Sequence, residues 1–116
     1  MTIEQTNVID FTATDRAMNE VFLVISDHLP WDVDENGHLR LLQDKLNKYL
    51  GAIESGEFYL KCPQAVGRKI VIYISAKYNP SPNAQDFIDK SKQAIRNIGY
   101  ELRIGQGAPV RSSVRT

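Results

Sequence analysis

A short acidic segment has the composition of a calcium-binding loop. Asp32, Asp34 and Asn36 alternate and Gly37 follows, which matches the D-x-D-x-[DN]-G opening of an EF-hand loop. Calcium takes about six to eight oxygen ligands, and alternating acids in a tight loop direct oxygens to one point. The twelfth position of that motif requires a bidentate Glu, but Gln43 occupies it. The alternative is a polar turn that caps the following helix, and no cofactor other than this incomplete calcium site is expected.

Two histidines beside this segment offer a second type of metal site. His28 and His38 lie ten residues apart, with the acids Asp27, Asp32, Asp34 and Glu35 between or beside them. Imidazole and carboxylate groups together can hold zinc or another transition metal. The spacing matches no metal-binding motif, so ordinary polar residues are the alternative.

Three adjacent residues carry the side-chain types of a hydrolase triad. Ser26, Asp27 and His28 follow one another directly. Neighbouring residues of an extended segment point to opposite sides, so these three cannot form the hydrogen-bonded chain that nucleophilic catalysis needs. Cys62 has no acid–base partner close in sequence and is interpreted as an inert thiol. The sequence therefore predicts no catalytic residue.

The only tryptophan lies in the same region. Trp31 follows Pro30, and it is interpreted either as a core residue at the edge of the sheet or as a recognition residue, because tryptophan is enriched at binding hot spots. Asp27, His28 and Trp31 together form the predicted binding site.

The strands that must position these residues follow from apolar alternation. The third predicted strand, residues 69–77, has two apolar faces, which indicates a central place in the sheet. The predicted strands cover residues 7–14, 20–26, 69–77 and 100–104.

Apolar stripes at spacings of three and four predict two helices. The first runs from Leu39 to Ser55, and the second begins after Ser81, a good capping residue. Residues 27–38 and 57–68 are predicted to be irregular connections. The order β-β-α-β-α-β predicts an α+β two-layer sandwich, with a four-stranded sheet and two helices on one face.

Composition limits the class of protein. The chain has 116 residues, of which 42% are hydrophobic and 24% charged, as in an ordinary globular domain. No apolar run approaches the roughly 18 residues needed to cross a bilayer, so no membrane contact is expected. Residues 1–104 are predicted to form one α+β domain, and residues 105–116 a disordered basic tail. A lone cysteine and the lack of a recognisable secretory signal favour the cytoplasm.

The net charge of zero conceals an asymmetry between the two parts of the chain. Residues 1–38 hold eight acids and one arginine, a net charge of −7, and residues 61–116 hold ten bases and three acids, a net charge of +7. Such asymmetry can mark a charged partner surface. Because no dense basic run is present, nucleic acid is not expected as a partner.

Long parts of the chain resemble a family of small bacterial proteins catalogued only as a domain of unknown function. The resemblance rests on three segments, and its most specific piece runs from Ser26 to Trp31. It covers roughly residues 6–104 and implies a stand-alone bacterial cytoplasmic protein without implying an activity. The three segments are Val8–Phe11, Val21–Trp31 and Leu41–Gly56.

The function expected from these observations is a non-catalytic binding or protein-interaction module. A metal-dependent protein or small enzyme that uses the acidic His/Asp loop 27–38 is the alternative. A homodimer is also expected, through an edge strand or through the uncovered face of the sheet, because open sheet edges favour pairing.

Overall fold

A computed structural model describes residues 11–107 of the chain. Its elements follow the predicted order, with one additional short helix and a 3₁₀ turn. The strands are β1 (Phe11–Asp15), β2 (Glu20–Asp27), β3 (Lys69–Ala76) and β4 (Glu101–Gly105). The helices are α1 (Glu35–Glu54), α2 (Glu57–Lys61) and α3 (Pro82–Asn97), and the 3₁₀ turn covers Pro63–Ala65.

The four strands form one sheet in the order β1-β2-β3-β4. β1 and β2 are an antiparallel hairpin in which Asp15 pairs with Glu20. β2, β3 and β4 are parallel, because a helical crossover lies between each consecutive pair. The predicted central place of β3 is confirmed, since it has a strand on both sides.

Both long helices pack on the same face of the sheet, which confirms the predicted architecture. Leu42, Leu46 and Tyr49 of α1 join Ala84 and Ile88 of α3 in one buried core with the helix-facing side chains of β2 and β3. Burial of such apolar side chains stabilises the fold by roughly 1.5–3 kcal/mol each. On the opposite face, a smaller buried cluster consists of Phe22, Val24, Val71 and Tyr73.

Two predicted connections were wrong in their extent. α1 begins at Glu35, within the predicted loop 27–38, because the Asp34 side chain accepts a hydrogen bond from the Gly37 amide and caps the helix. The segment 57–68 contains α2 and the 3₁₀ turn rather than irregular chain, since buried Phe58 anchors the short helix to the core.

The predicted tail falls mostly outside the described residues. Its first residue, Gly105, ends β4, and the carbonyl of Gly107 accepts a hydrogen bond from the Ser75 hydroxyl at 2.7 Å. Residues 108–116 lie beyond the described part of the chain. Between residues 11 and 107, no helix combines the length and the apolarity needed to cross a membrane.

An ionic network ties the amino-terminal ends of β2, β3 and β4 together on the face opposite the helices. The Arg103 guanidinium donates to both carboxylate oxygens of Glu20, at 3.2 and 2.8 Å, and to Glu101 at 2.6 Å. Lys69 completes the network with an ion pair of 2.6 Å to Glu101. The hydrogen bond from Arg103, followed by that from Lys69, lowers the pKa of Glu101 to about 2.

Candidate functional site

The candidate site lies at the carboxyl ends of β2 and β3. Because these strands are parallel, their carboxyl ends meet at one edge of the sheet, and α1 and α3 both begin there. In open sheets with helical crossovers, ligands bind outside the carboxyl ends of the strands. Asp27, the last residue of β2, and the loop that follows it (residues 28–34) therefore lie where a ligand site is expected.

A buried acid–histidine pair joins the end of β2 to the first turns of α1. The two carboxylate oxygens of Asp27 lie 2.7 and 2.6 Å from Nε2 of His38. Both side chains are at most 2% exposed. A carboxylate oxygen accepts hydrogen bonds, so in this contact the Nε2–H of His38 is the donor and Asp27 is the acceptor. Asp27 also accepts from the backbone amide of Leu29 at 3.1 Å, which fixes the start of the loop.

Trp31 covers the imidazole from one side. Its ring lies parallel to the His38 ring, with 3.4 Å between centroids and 14° between planes. Trp31 is buried in the main core, as in the core interpretation from the sequence. Within residues 11–107, Nδ1 of His38 is buried and has no hydrogen-bond partner. Asp27, His38 and Trp31 therefore form one rigid cluster, the dyad cluster, beneath the loop.

A second set of contacts joins the amino termini of the two long helices. The Ser81 hydroxyl and the Asn83 amide both donate to the Glu35 carboxylate. These hydrogen bonds, that from Ser81 first, hold the pKa of Glu35 below its ordinary value. Ser81 also caps α3 by accepting from the Ala84 amide at 3.2 Å, as the sequence predicts. Contacts on both sides of the loop thus fix its position at the carboxyl ends of β2 and β3.

A cleft of about 440 Å³ opens between the loop and the first turns of α1. The apolar Val33 at its rim is 79% exposed. A neighbouring depression across the loop contains Trp31 and Tyr78, of which Tyr78 is 42% exposed. The lining residues of the cleft are Leu29, Pro30, Val33, Asp34, Gly37, His38, Arg40, Leu41 and Asp44.

The structure separates the three residues of the predicted binding site. Asp27 and Trp31 are buried in the dyad cluster, where they shape the loop from below. His28 is exposed at the end of β2. His38, rather than its neighbour in sequence, is the partner of Asp27.

The three residues of the predicted calcium site occupy different local environments. Asp32 is exposed in the turn before α1, Asp34 caps the helix, and Asn36 is exposed in the first helical turn. Asp34 therefore has the capping role that the sequence offered as the alternative. In the part of the chain from residue 11 to 107, no group of three His, Cys, Asp or Glu side chains could hold a metal ion. Calcium binding stays a prediction.

The cleft and the neighbouring depression were missed at the sequence level. Val33 lies between Asp32 and Asp34, and Tyr78 lies 45 positions further along the chain. Neither carries a motif, and only the parallel pairing of β2 with β3 brings their loops to the same edge. An apolar residue within an acidic, proline-containing loop is the one signal that could have indicated Val33.

Fold and site together define a small α+β sandwich protein with a cleft at the carboxyl end of its parallel strands. The chain belongs to DUF6572, a family of unknown function, whose profile matches residues 1–107. This match confirms the resemblance to a domain of unknown function. No curated protein and no solved structure matches the chain.

Proposed function

We propose that this protein is a non-catalytic binding module of the bacterial cytoplasm that holds a short segment of a partner protein in the cleft beside α1. The cleft carries the proposal, because it combines an apolar lining with a highly exposed apolar rim. Leu29, Pro30 and Leu41 line it, and Val33 projects into solvent beside it. Exposed apolar groups next to a concave surface are typical of interaction sites.

The dyad cluster supports this role by holding the loop in its binding shape. The Asp27 carboxylate fixes the loop start through the Leu29 amide, and the stacking of Trp31 on His38 fixes its middle. A loop that is ordered before binding loses less conformational entropy when the partner arrives. The buried polar groups thus contribute to affinity without contacting the partner.

Charge around the cleft indicates the chemistry of the partner. The acids Asp32, Asp34 and Asp44 are exposed there, against the single exposed base Arg40 among the residues of the loop and the cleft. An acidic rim around an apolar cleft fits a peptide in which an apolar side chain is followed by Arg or Lys. The partner class is therefore an apolar–basic peptide segment.

The test is an array of eight-residue peptides in which a central Val, Leu or Phe is followed by either Arg or Glu. We expect the full-length protein to bind the Arg series more tightly than the Glu series. Val33→Asp should weaken binding at least about tenfold, or about 1.4 kcal/mol, since it removes an apolar contact that the peptide would bury at the rim and places a carboxylate beside the apolar lining. The matched control is Met18→Asp, because Met18 is 53% exposed in the β1–β2 turn at the other end of the sheet. Absence of binding in both series, or equal effects of the two variants, would overturn the proposal.

The Asp27–His38 pair favours a second candidate function, an acid–base enzyme. Nδ1 of His38 would accept a proton from a substrate while Asp27 stabilises the resulting imidazolium. Because Nδ1 is enclosed, this function requires the loop above it to open. Turnover of a chromogenic ester or phosphoester by the native protein but not by His38→Asn would support the enzyme, and no turnover would leave the binding module.

A further inference from the structure

The outer edge of β4 is a second candidate interaction surface. β4 pairs with β3 on one side, and within residues 11–107 no strand lies on its other side. Edge strands present backbone N–H and C=O groups that can pair with another strand, and proteins often block them with Pro, Lys or bulges. β4 has the sequence Glu-Leu-Arg-Ile-Gly, which contains neither Pro nor Lys.

From this edge we infer that two copies of the chain associate through their β4 strands, antiparallel and related by a two-fold axis at Leu102. In an antiparallel pair, two residues that face each other point to the same side of the sheet. Facing residues of two identical strands are therefore an even number of positions apart in the sequence, so the two-fold axis passes through a residue. Only a centre at Leu102 places Glu101 opposite Arg103 of the second copy, and it does so twice. Centres at Glu101 or Arg103 bring like charges together on the axis. The charge pattern of β4 therefore fits a second copy of itself in one register.

The two charged side chains of β4 already have partners within the chain, since Arg103 reaches across β3 to Glu20 of β2. Arg103 is fixed by Glu20 and Glu101 and lies over the Phe22 ring, 5.7 Å from its centroid. The side chains of Arg103 and Glu101 are still 34% and 30% exposed, so each retains surface to bury. Opposite charges on facing strand positions stabilise pairing, so a second copy would add a facing partner to side chains that already belong to an ionic network.

The helix-covered side of the same edge supplies apolar surface. In the register centred at Leu102, Tyr100 faces Ile104 of the second copy, and both side chains are only partly buried. Ile98, which follows α3, is 48% exposed nearby in sequence. An interface of one five-residue strand is smaller than a standard stable interface. The dimer should accordingly be weak, with a Kd of roughly 10–100 μM.

Sedimentation equilibrium of the full chain from 5 to about 500 μM is the first test. We expect a monomer–dimer equilibrium that Glu101→Lys weakens at least about tenfold, because it converts two attractive pairs into repulsive ones. Glu101→Gln, which keeps the shape of the side chain, should weaken it less. Glu57→Lys makes the same charge change on α2 and should leave the association unchanged. Circular dichroism verifies that each variant folds.

A second measurement locates the interface without a variant. In ¹⁵N spectra recorded over the same concentrations, we expect shifts concentrated at Glu101–Gly105. A protein that stays monomeric at the highest concentration would overturn the inference. So would shifts concentrated at the cleft or on β1, or a dimer that Glu101→Lys leaves intact.

Discussion

Removal of the Asp27 carboxylate should destabilise the protein more than any exposed substitution. In Asp27→Ala, the buried Nε2–H of His38 and the Leu29 amide both lose their acceptor. A hydrogen bond to a charged group contributes about 1.5–3 kcal/mol, and a buried donor left unsatisfied costs about 1–3 kcal/mol. The expected loss in free energy of unfolding is therefore about 3–5 kcal/mol, which agrees with the cost of breaking a buried pair.

Urea unfolding measures this loss. With a urea m-value of about 1.5 kcal/mol/M, the midpoint of Asp27→Ala should fall by about 2–3 M. Trp31 fluorescence follows the dyad cluster directly, because Trp31 is the only tryptophan and stacks on His38, and circular dichroism follows the whole fold. Asp27→Asn retains one acceptor oxygen and should lose only about 1–2 kcal/mol, which keeps the test informative if the alanine variant does not fold.

The matched control removes a neighbouring acid that is exposed. Asp34→Ala deletes the α1 cap and should cost about 1 kcal/mol. If Asp27→Ala costs no more than Asp34→Ala, the Asp27–His38 contact contributes no more than an exposed cap, and our reasoning about the dyad cluster is refuted.

Three further predictions concern other parts of the fold. Glu101→Gln should lower the free energy of unfolding by about 1–2 kcal/mol at pH 7 after allowance for solvent screening. Because the pKa of Glu101 is lowered from 4.5 to about 2 in the folded protein, the difference in stability between the native protein and the variant should be complete above pH 4.5 and disappear as the pH falls towards 2. Urea unfolding at several pH values checks this. Ser81→Ala should cost about 1 kcal/mol in the same assay, since it removes the α3 cap and a hydrogen bond to Glu35, and an unchanged midpoint would contradict this. Gly51→Ala should stabilise the protein by about 0.5–1 kcal/mol, seen as a Tm about 2–6 °C higher, because Gly51 lies inside α1 with open space where a Cβ would stand; a lower Tm would show that this space is needed.

Local signals predicted most of the elements correctly. Alternation on both faces identified β3 as central, and Ser81 followed by Pro82 identified the start of α3. The same reasoning missed the first turn of α1, because Asn36 and Gly37 favour turns when they are considered alone. The helix nevertheless begins at Glu35, because the Asp34 side chain caps it upstream of these two residues.

The sequence by itself determined the order of the elements, the apolar faces and the caps, because each depends on residues only a few positions apart. Only the tertiary structure decided that β2, β3 and β4 are parallel and that the loops carrying Val33 and Tyr78 lie at the same edge of the sheet. It also decided that Asp27 meets His38 instead of the adjacent His28. Adjacent residues of a strand point to opposite sides, whereas a helix packed across the end of a strand can bring a distant side chain to it. Such contacts depend on how the elements pack together, which no local pattern encodes.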